Sequence, residues 1–155
     1  MKWLIGLAGL LGLFGLWRWR MDEARLVLAQ TIYGEARGEG AGGMSAVAAV
    51  IVNRAFIGGW WGDSVISVCK APWQFSTWNE GDPNRPLIEN LRPGANASFD
   101  LAWQIAGEAI GGTLGDVTGG ATHYYAPGSI NKPYWAVGAN LTARIGGHDF
   151  FDGVT

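Results

Sequence analysis

Two carboxylates and a guanidinium lie within five residues of one another in the segment Tyr-Gly-Glu-Ala-Arg-Gly-Glu at 33–39. We expect residues 22–36 to form a helix, which puts Glu35 in its last turn. There the negative end of the helix dipole disfavours a second negative charge and raises the pKa of the carboxyl group. A carboxyl group that stays protonated near neutral pH can act as a general acid. The spacing also fits solvated charges, with Glu35 and Glu39 paired to Arg37, so this segment alone leaves both interpretations open.

Length and composition allow one globular domain with a real core. The chain has 155 residues, of which 48% are apolar and 15% charged. Its single cysteine, Cys69, excludes an internal disulfide and a paired-cysteine metal site, and we expect it to be a small buried residue. Residues 21–155 carry eight basic and 13 acidic side chains, which is unlike a nucleic-acid-binding surface. We expect a monomer that uses no cofactor.

Residues 1–20 have a different character from the rest. The run 3–17 contains no charge, and Lys2 and Arg18 border it. As a helix, these residues would extend about 22 Å across a hydrocarbon layer of about 30 Å. Glycines at every third position, from Gly6 to Gly15, lower its hydrophobicity and helix propensity. This pattern predicts a weak N-terminal membrane helix, or signal anchor, before a catalytic domain at 21–155.

Cleavage of this segment is not favoured, because the nearest small-x-small site, at 27–29, lies beyond several charged residues. The charges on its two sides nearly balance, so they do not fix the orientation in a membrane.

Hydrophobic periodicity in the remainder predicts a mainly helical domain with short strands. A helix at 22–36 precedes a flexible glycine-rich turn at 34–43. The run 44–56 is apolar enough to be the central core helix. Further predictions are a short helix at 64–69, a loop at 72–79, an irregular segment at 83–93, a helix at 97–111, and short strands or a small helix within 121–126 and 135–144.

Five sequence blocks resemble one family in its own order. They are AQTIYGEARGEG at 29–40, AVAAVIVNR at 46–54, PWQFS at 72–76, GDVTGGATHYYAP at 115–127 and IGGHDFF at 145–151. Over residues 24–152 the chain resembles the cell wall hydrolases typified by the spore cortex-lytic enzyme SleB and related phage endolysins. The resemblance implies an α+β fold, a mainly helical lysozyme-like or lytic-transglycosylase-like domain with a small β-sheet. It also implies cleavage of peptidoglycan glycan strands between N-acetylmuramic acid and N-acetylglucosamine.

The resemblance places the catalytic acid on Glu35, with Glu39 as the rival candidate. A hydrolase uses a second carboxylate as base or nucleophile, whereas a lytic transglycosylase can use one glutamate as acid and then base. Asp116 is a candidate for a second carboxylate or for a substrate contact, and it also fits a turn or strand cap. His123 is a candidate for a direct chemical role, or for a hydrogen-bonded structural histidine.

Aromatic and amide side chains suit the binding of sugars. Gln74 can hydrogen-bond an N-acetyl or hydroxyl group, and alternation along a strand makes one of Tyr124 and Tyr125 face the core. The predicted substrate-binding residues are Trp73, Gln74, Phe75, Ser76, Trp78, Asp116, Thr122, Tyr124 and Tyr125.

A metal site is not expected, because His123, His148 and Asp149 would have to converge without any recognised ligand spacing. Two alternatives stay open: a membrane protein that binds peptidoglycan without cutting it, and a metal-dependent amidase. The glycine-rich anchor favours a signal-arrest-release endolysin, located at the bacterial inner membrane with its catalytic domain in the periplasm.

Overall fold

Five helices and three strands make up the fold in the computed structural model, which describes the backbone of residues 3–154 and the side chains of residues 15–154. The helices are α1 Trp3–Ala36, α2 Gly40–Ile57, α3 Val65–Lys70, α4 Arg85–Asn90 and α5 Ala97–Ile110. The strands are β1 His123–Tyr125, β2 Asn140–Ile145 and β3 His148–Asp152. Short 3₁₀ turns form at Arg37–Glu39, Ser76–Trp78 and Tyr134–Ala136.

Helix α1 is continuous over 34 residues, which corresponds to about 51 Å. It passes without a break through residues 18–22, where the apolar N-terminal run meets the predicted domain. The reason is local, since residues 16–33 contain neither glycine nor proline. From Val27 to Tyr33 the helix is buried among α2, α3 and α5, whereas Leu16 and Trp19 are exposed.

The predicted membrane helix at 1–20 falls partly outside the described residues, which exclude residues 1 and 2 and the side chains of 3–14. Among the described residues, one helical stretch, Gly15–Ile57, is long and apolar enough to cross a membrane by length and composition. Half of its most apolar window is buried inside the protein, and both core helices of soluble proteins and N-terminal signal sequences have this length and composition. The membrane helix therefore stays a prediction.

The predicted flexible turn at 34–43 is wrong. Helix α1 continues to Ala36, and after the Arg37–Glu39 turn α2 begins at Gly40, where φ is +66°. The glycines permit close packing here, because a Cβ on Gly43 would lie 2.5 Å from the Glu39 Cβ. Both glutamates of the motif are thus held at a tight corner between two helices.

Helix α2 is buried from Met44 through Ile51 except at Ser45, as expected for a core helix, but α1 shares the centre with it. A reciprocal Ser64–Ser67 capping box starts α3, and the Asn96 side chain caps α5. The segment 83–93, predicted to be irregular, contains α4. Its proline lies in the first helical turn, where a missing N–H costs no hydrogen bond.

The three strands form an antiparallel sheet in the order β1-β3-β2. His123 pairs with Phe151 and Tyr125 with Asp149, and β2 and β3 form a hairpin around Gly146 and Gly147. The sheet packs on α2 through a small apolar cluster of Ala46, Val50, Ala121 and Phe150. The sequence predicted β1 within 121–126, but it did not predict β3.

Candidate active site

Glu35 occupies the last turn of α1, as the sequence predicted, and faces the segment that contains Ser76. The Ser76 hydroxyl donates a hydrogen bond to Glu35 Oε1 at 3.4 Å. Burial raises the pKa of Glu35 above its ordinary value, and N–H groups of Thr77 and Ser76, together with the Ser76 hydroxyl, oppose part of that rise. The direction agrees with the sequence prediction, but the main cause is desolvation rather than the helix dipole.

Glu39 lies in a different environment, although it follows Glu35 by four residues. His148 Nδ1 contacts its Oε1 at 2.7 Å, and both side chains are mostly buried. Its Oε2 is buried without a hydrogen-bond partner among the described residues. The hairpin turn packs so closely that a Cβ on Gly146 would collide with Oε2. Glu39 therefore ties the α1–α2 corner to the β2–β3 hairpin.

Arg37 does not pair with either glutamate. Its Nη1 donates to the carbonyl of Gly34 at 3.3 Å, and its guanidinium lies 5.4 Å from the centre of the Tyr33 ring. Arg37 thus supports the end of α1.

The described residues that line an open cleft of about 710 Å³ include neither glutamate, but Tyr124 connects the cleft to this corner. Tyr124 lines the cleft, lies edge-on to His148 with ring centres 5.3 Å apart, and is within electrostatic reach of Glu35. Burial raises the Tyr124 pKa, so its hydroxyl is a neutral hydrogen-bonding group. The cleft is lined by Arg54, Trp60, Trp61, Trp73, Gln74, His123, Tyr124, Tyr134, Trp135 and Val154.

Arg54 holds the wall of the cleft together. Its Nε donates to the carbonyl of Thr122 at 2.6 Å and its Nη1 to Gln74 Oε1 at 3.0 Å. The guanidinium also lies 5.5 Å from the centre of the Trp61 ring and 5.7 Å from that of Phe75. These contacts join α2, β1 and the 72–76 segment around one cation.

His123 lies between the rings of Trp61 and Trp135, with ring centres at 5.8 and 5.0 Å. Its Nδ1 is 3.0 Å from the Thr122 hydroxyl. Burial, together with the charge of Arg54, lowers its pKa to about 4. His123 is therefore neutral near pH 7, where it can hydrogen-bond or stack without contributing a charge.

The structure brings together only some of the predicted substrate-binding residues. Those that line the cleft are Trp73, Gln74 and Tyr124, and Trp73 is 83% exposed. Ser76 instead contacts Glu35, and Thr122 is buried behind His123.

The others lie away from the cleft lining. Phe75 is in the core, and Trp78 packs against the core while its Nε1 donates to Thr31 Oγ1. Tyr125 stacks on Phe151, on the opposite face of the sheet from Tyr124.

Asp116 is engaged in a turn. Its carboxylate accepts hydrogen bonds from the Thr118 hydroxyl and N–H, from the Gly120 N–H and from Asn53. Burial opposes ionisation, but these donors outweigh it and lower the pKa of Asp116. The turn-cap interpretation thus has direct geometric support, and a substrate contact stays a prediction.

Sequence reasoning did not identify six of the ten described residues that line the cleft. Arg54 ends the family block at 46–54, but nothing in the sequence indicates that its side chain lines a cleft. The aromatic pairs at 60–61 and 134–135 lie outside the five family blocks. The large number of tryptophans in the chain, nine, was the only sequence feature that could have indicated them. Among the described residues, no three His, Cys, Asp or Glu side chains group closely enough to hold a metal ion.

A family model described as Cell Wall Hydrolase matches residues 38–151. This chain belongs to the cell wall hydrolase family. The match begins three residues after Glu35 and includes Glu39. The family match therefore does not decide between Glu35 and Glu39 as the catalytic acid, and geometry has to distinguish them.

Similar proteins agree with this membership. The chain is 32% identical over 133 residues to a spore cortex-lytic enzyme of Bacillus subtilis and 34% identical over 129 residues to that of Halalkalibacterium halodurans, covering 83% of this chain in both cases. It spans only 37% and 34% of those two proteins.

Two solved structures share the fold. The catalytic domain of the germination-specific lytic transglycosylase SleB from Bacillus anthracis is 29% identical, with a TM-score of 0.65, over 83% of this chain and 93% of that one. The catalytic domain of Bacillus cereus SleB is also 29% identical, with a TM-score of 0.66, over 84% and 91% of the two chains. The mainly helical fold with a small three-stranded sheet is thus that of the SleB catalytic domain.

Proposed function

We propose that this protein cleaves the glycan strands of peptidoglycan between N-acetylmuramic acid and N-acetylglucosamine, with Glu35 as the general acid. The observation that carries the proposal is the partly buried Glu35, whose pKa is raised, beside an aromatic cleft in a cell wall hydrolase fold. The similarity to the catalytic domain of the lytic transglycosylase SleB supports the same reaction class.

In the first step, protonated Glu35 donates its proton to the glycosidic oxygen, and the bond between that oxygen and the anomeric carbon breaks. The leaving sugar departs as an alcohol, and Glu35 becomes a carboxylate. Glu35 then accepts a proton from the nucleophile that attacks the anomeric carbon. That nucleophile is the 6-hydroxyl of the same muramic residue in a lytic transglycosylase, or water in a muramidase.

The surroundings of Glu39 support the route that uses one glutamate. A base or nucleophile needs a free carboxylate facing the sugar, whereas Glu39 is held by His148 and covered by the hairpin glycines. We therefore propose transglycosylation, with 1,6-anhydromuramic ends on the products.

The test is the release of soluble fragments from purified peptidoglycan by the full chain, analysed by mass spectrometry. Glu35→Gln should abolish release, while Glu80→Gln, at an exposed glutamate, is the matched control and should keep it. Wild-type release by Glu35→Gln would overturn the assignment. Reducing muramic ends would mean hydrolysis, and cut stem peptides would mean an amidase. Glycan binding without any fragments from the wild-type chain would mean a binding protein.

We further propose that residues 1–20 tether a monomer to the bacterial inner membrane with the domain in the periplasm, as in a signal-arrest-release endolysin of a phage. The unbroken helix from Trp3 into the core and the exposed apolar Leu16 and Trp19 support a tether. The full chain expressed in bacteria should sediment with membranes and leave them when the membrane potential is collapsed. A chain that is soluble throughout, or that stays in the membrane after collapse, would contradict this proposal.

A further inference from the structure

We infer that the aromatic cleft contains a carboxylate-binding subsite built on Arg54 and Gln74, which recognises an anionic group of the glycan strand next to the bond that is cut. The inference rests on the proposed function and specifies which strands the site selects.

Among the residues whose side chains the structure describes, the cation in the cleft wall has no acidic partner. Arg54 is only 5% exposed, and its two bonded acceptors, the Thr122 carbonyl and the Gln74 amide oxygen, are both neutral. None of the ion pairs among the described residues includes it. A buried charge without a counter-ion is costly unless it serves an anion that arrives from outside.

The side chain of Gln74 places further hydrogen-bond donors beside the Arg54 guanidinium. Because the guanidinium can only donate, the amide oxygen of Gln74 must face it, at 3.0 Å from Nη1. The side-chain NH₂ of Gln74 then points away from Arg54, in a residue that lines the cleft. A ligand that meets both groups must supply acceptors, which a carboxylate does with two oxygens.

No acidic side chain opposes such a ligand. The described residues that line the cleft include neither Asp nor Glu, and His123 is neutral there. The walls are aromatic, with the exposed Trp73 and Tyr134 among them, so pyranose faces can stack beside the charged group. The cleft is therefore suited to a sugar that carries one negative charge.

In a peptidoglycan strand, carboxylates come from two sources. Muramic acid without a stem peptide has a free lactyl carboxylate, and a strand that keeps its stem peptides has the carboxylates of those peptides. Both are the same ligand chemistry, and the substrates below distinguish them.

The experiment compares four substrates for the full-length wild-type chain: strands stripped of stem peptides, the same strands with their carboxylates converted to neutral methylamides, and peptide-bearing strands in the charged and methylamidated forms. Because an ionic hydrogen bond in a partly dry site contributes about tenfold or more, we expect KM on the preferred charged form to be about tenfold lower than on its amide. A preference confined to stripped strands identifies the lactyl carboxylate, and one confined to peptide-bearing strands identifies the stem peptide.

A variant locates the effect. Gln74→Glu keeps an acceptor for Arg54 but adds a negative charge and removes the NH₂ donors, so the preference for charged strands should disappear. Gln104→Glu, on the exposed face of α5, adds the same charge elsewhere and should retain the preference. An Arg54 and Gln74 pair that served only to hold the wall together would not change the ratio between charged and neutral strands.

Equal cleavage of charged and neutral strands by the wild type would overturn the subsite and leave the proposed glycosidase function intact. A wild type that cleaves no strand would refute that function instead. The binding of charged and amidated strands to Glu35→Gln, measured by calorimetry, then still decides the subsite, because equal affinities would overturn it.

Discussion

Gly34 sets the distance between the end of α1 and the segment that contacts Glu35. A Cβ on Gly34 would lie 3.0 Å from Thr77 Cβ and 3.2 Å from its Cγ2, and it would collide with Oγ1. Thr77 is buried and its N–H group interacts with the Glu35 carboxyl. Gly34→Ala must therefore push apart the two segments whose contact positions Glu35, the proposed general acid.

The expected magnitude follows from two opposing terms. Alanine in place of glycine within a helix gains about 1 kcal/mol, and overpacking of a close contact costs about 1–3 kcal/mol. We expect a net loss in the free energy of unfolding of up to about 2 kcal/mol. Because a displacement of about 1 Å at a catalytic group can lower the rate about 100-fold, the cleavage rate should fall strongly even though most of the protein stays folded.

The assay pairs the initial rate of fragment release from peptidoglycan with urea unfolding of the same preparation. Gly42→Ala is the matched control, since its Cβ would lie 3.9 Å from the nearest side-chain atom, in Ile145, and it should keep the rate. Thr77→Ala removes the colliding oxygen and should restore part of the activity of Gly34→Ala in the double variant. Wild-type activity and stability in Gly34→Ala would refute the reasoning.

Three further predictions concern charged groups. Because the pKa of Glu35 is raised, the cleavage rate and the stability that depends on neutral Glu35 should both fall as pH rises through that pKa. A rate–pH profile and unfolding curves check this. Glu35→Gln should remove the loss of stability. His148→Ala removes the partner of Glu39 Oε1, beside a buried Oε2 that already has none among the described residues, and should lower the free energy of unfolding by about 1–3 kcal/mol, seen as a lower urea midpoint. Asp116→Asn should lower the free energy of unfolding at neutral pH by about 1 kcal/mol without changing the cleavage rate. Because the pKa of Asp116 is lowered, the wild type should lose this advantage as pH falls through that pKa. A stability difference that persists in acid would contradict the turn-cap role.

The helices could be predicted from the sequence because their apolar periodicity is local. The predicted helices at 44–56, 64–69 and 97–111 correspond to α2, α3 and α5 within a few residues. The errors arise where tertiary contacts override local preference. Glycines at 34–43 indicate a loose turn, yet the close approach of Glu39 and the hairpin packs them into two helix ends. Strand β3 exists because it pairs with both neighbours, and its sequence alone does not show that pairing.

The site shows the same division. Glu35, Trp73, Gln74 and Tyr124 were within reach of sequence reasoning because motif order marked them. Arg54 was not, because its importance depends on its surroundings. Only the structure shows that this cation is buried and that it has no acidic partner among the described residues. Trp61 and Trp135 both contact the ring of His123, but they are more than 70 residues apart in the sequence, so only the fold brings them together.

The two glutamates of the motif are chemically identical in the sequence, and the helix end makes them different. Glu35 is the last residue but one of α1, so its side chain faces Ser76 across the corner, where burial favours the protonated form. Glu39 belongs to the following 3₁₀ turn, which directs its carboxylate to His148 and the hairpin. A general acid needs a carboxyl group whose protonated form is favoured, as burial favours it at Glu35. A carboxylate that joins two parts of a fold needs a short contact to the second part, as Glu39 has to His148. The surroundings of Glu35 therefore suit the proposed acid, and those of Glu39 suit a structural carboxylate.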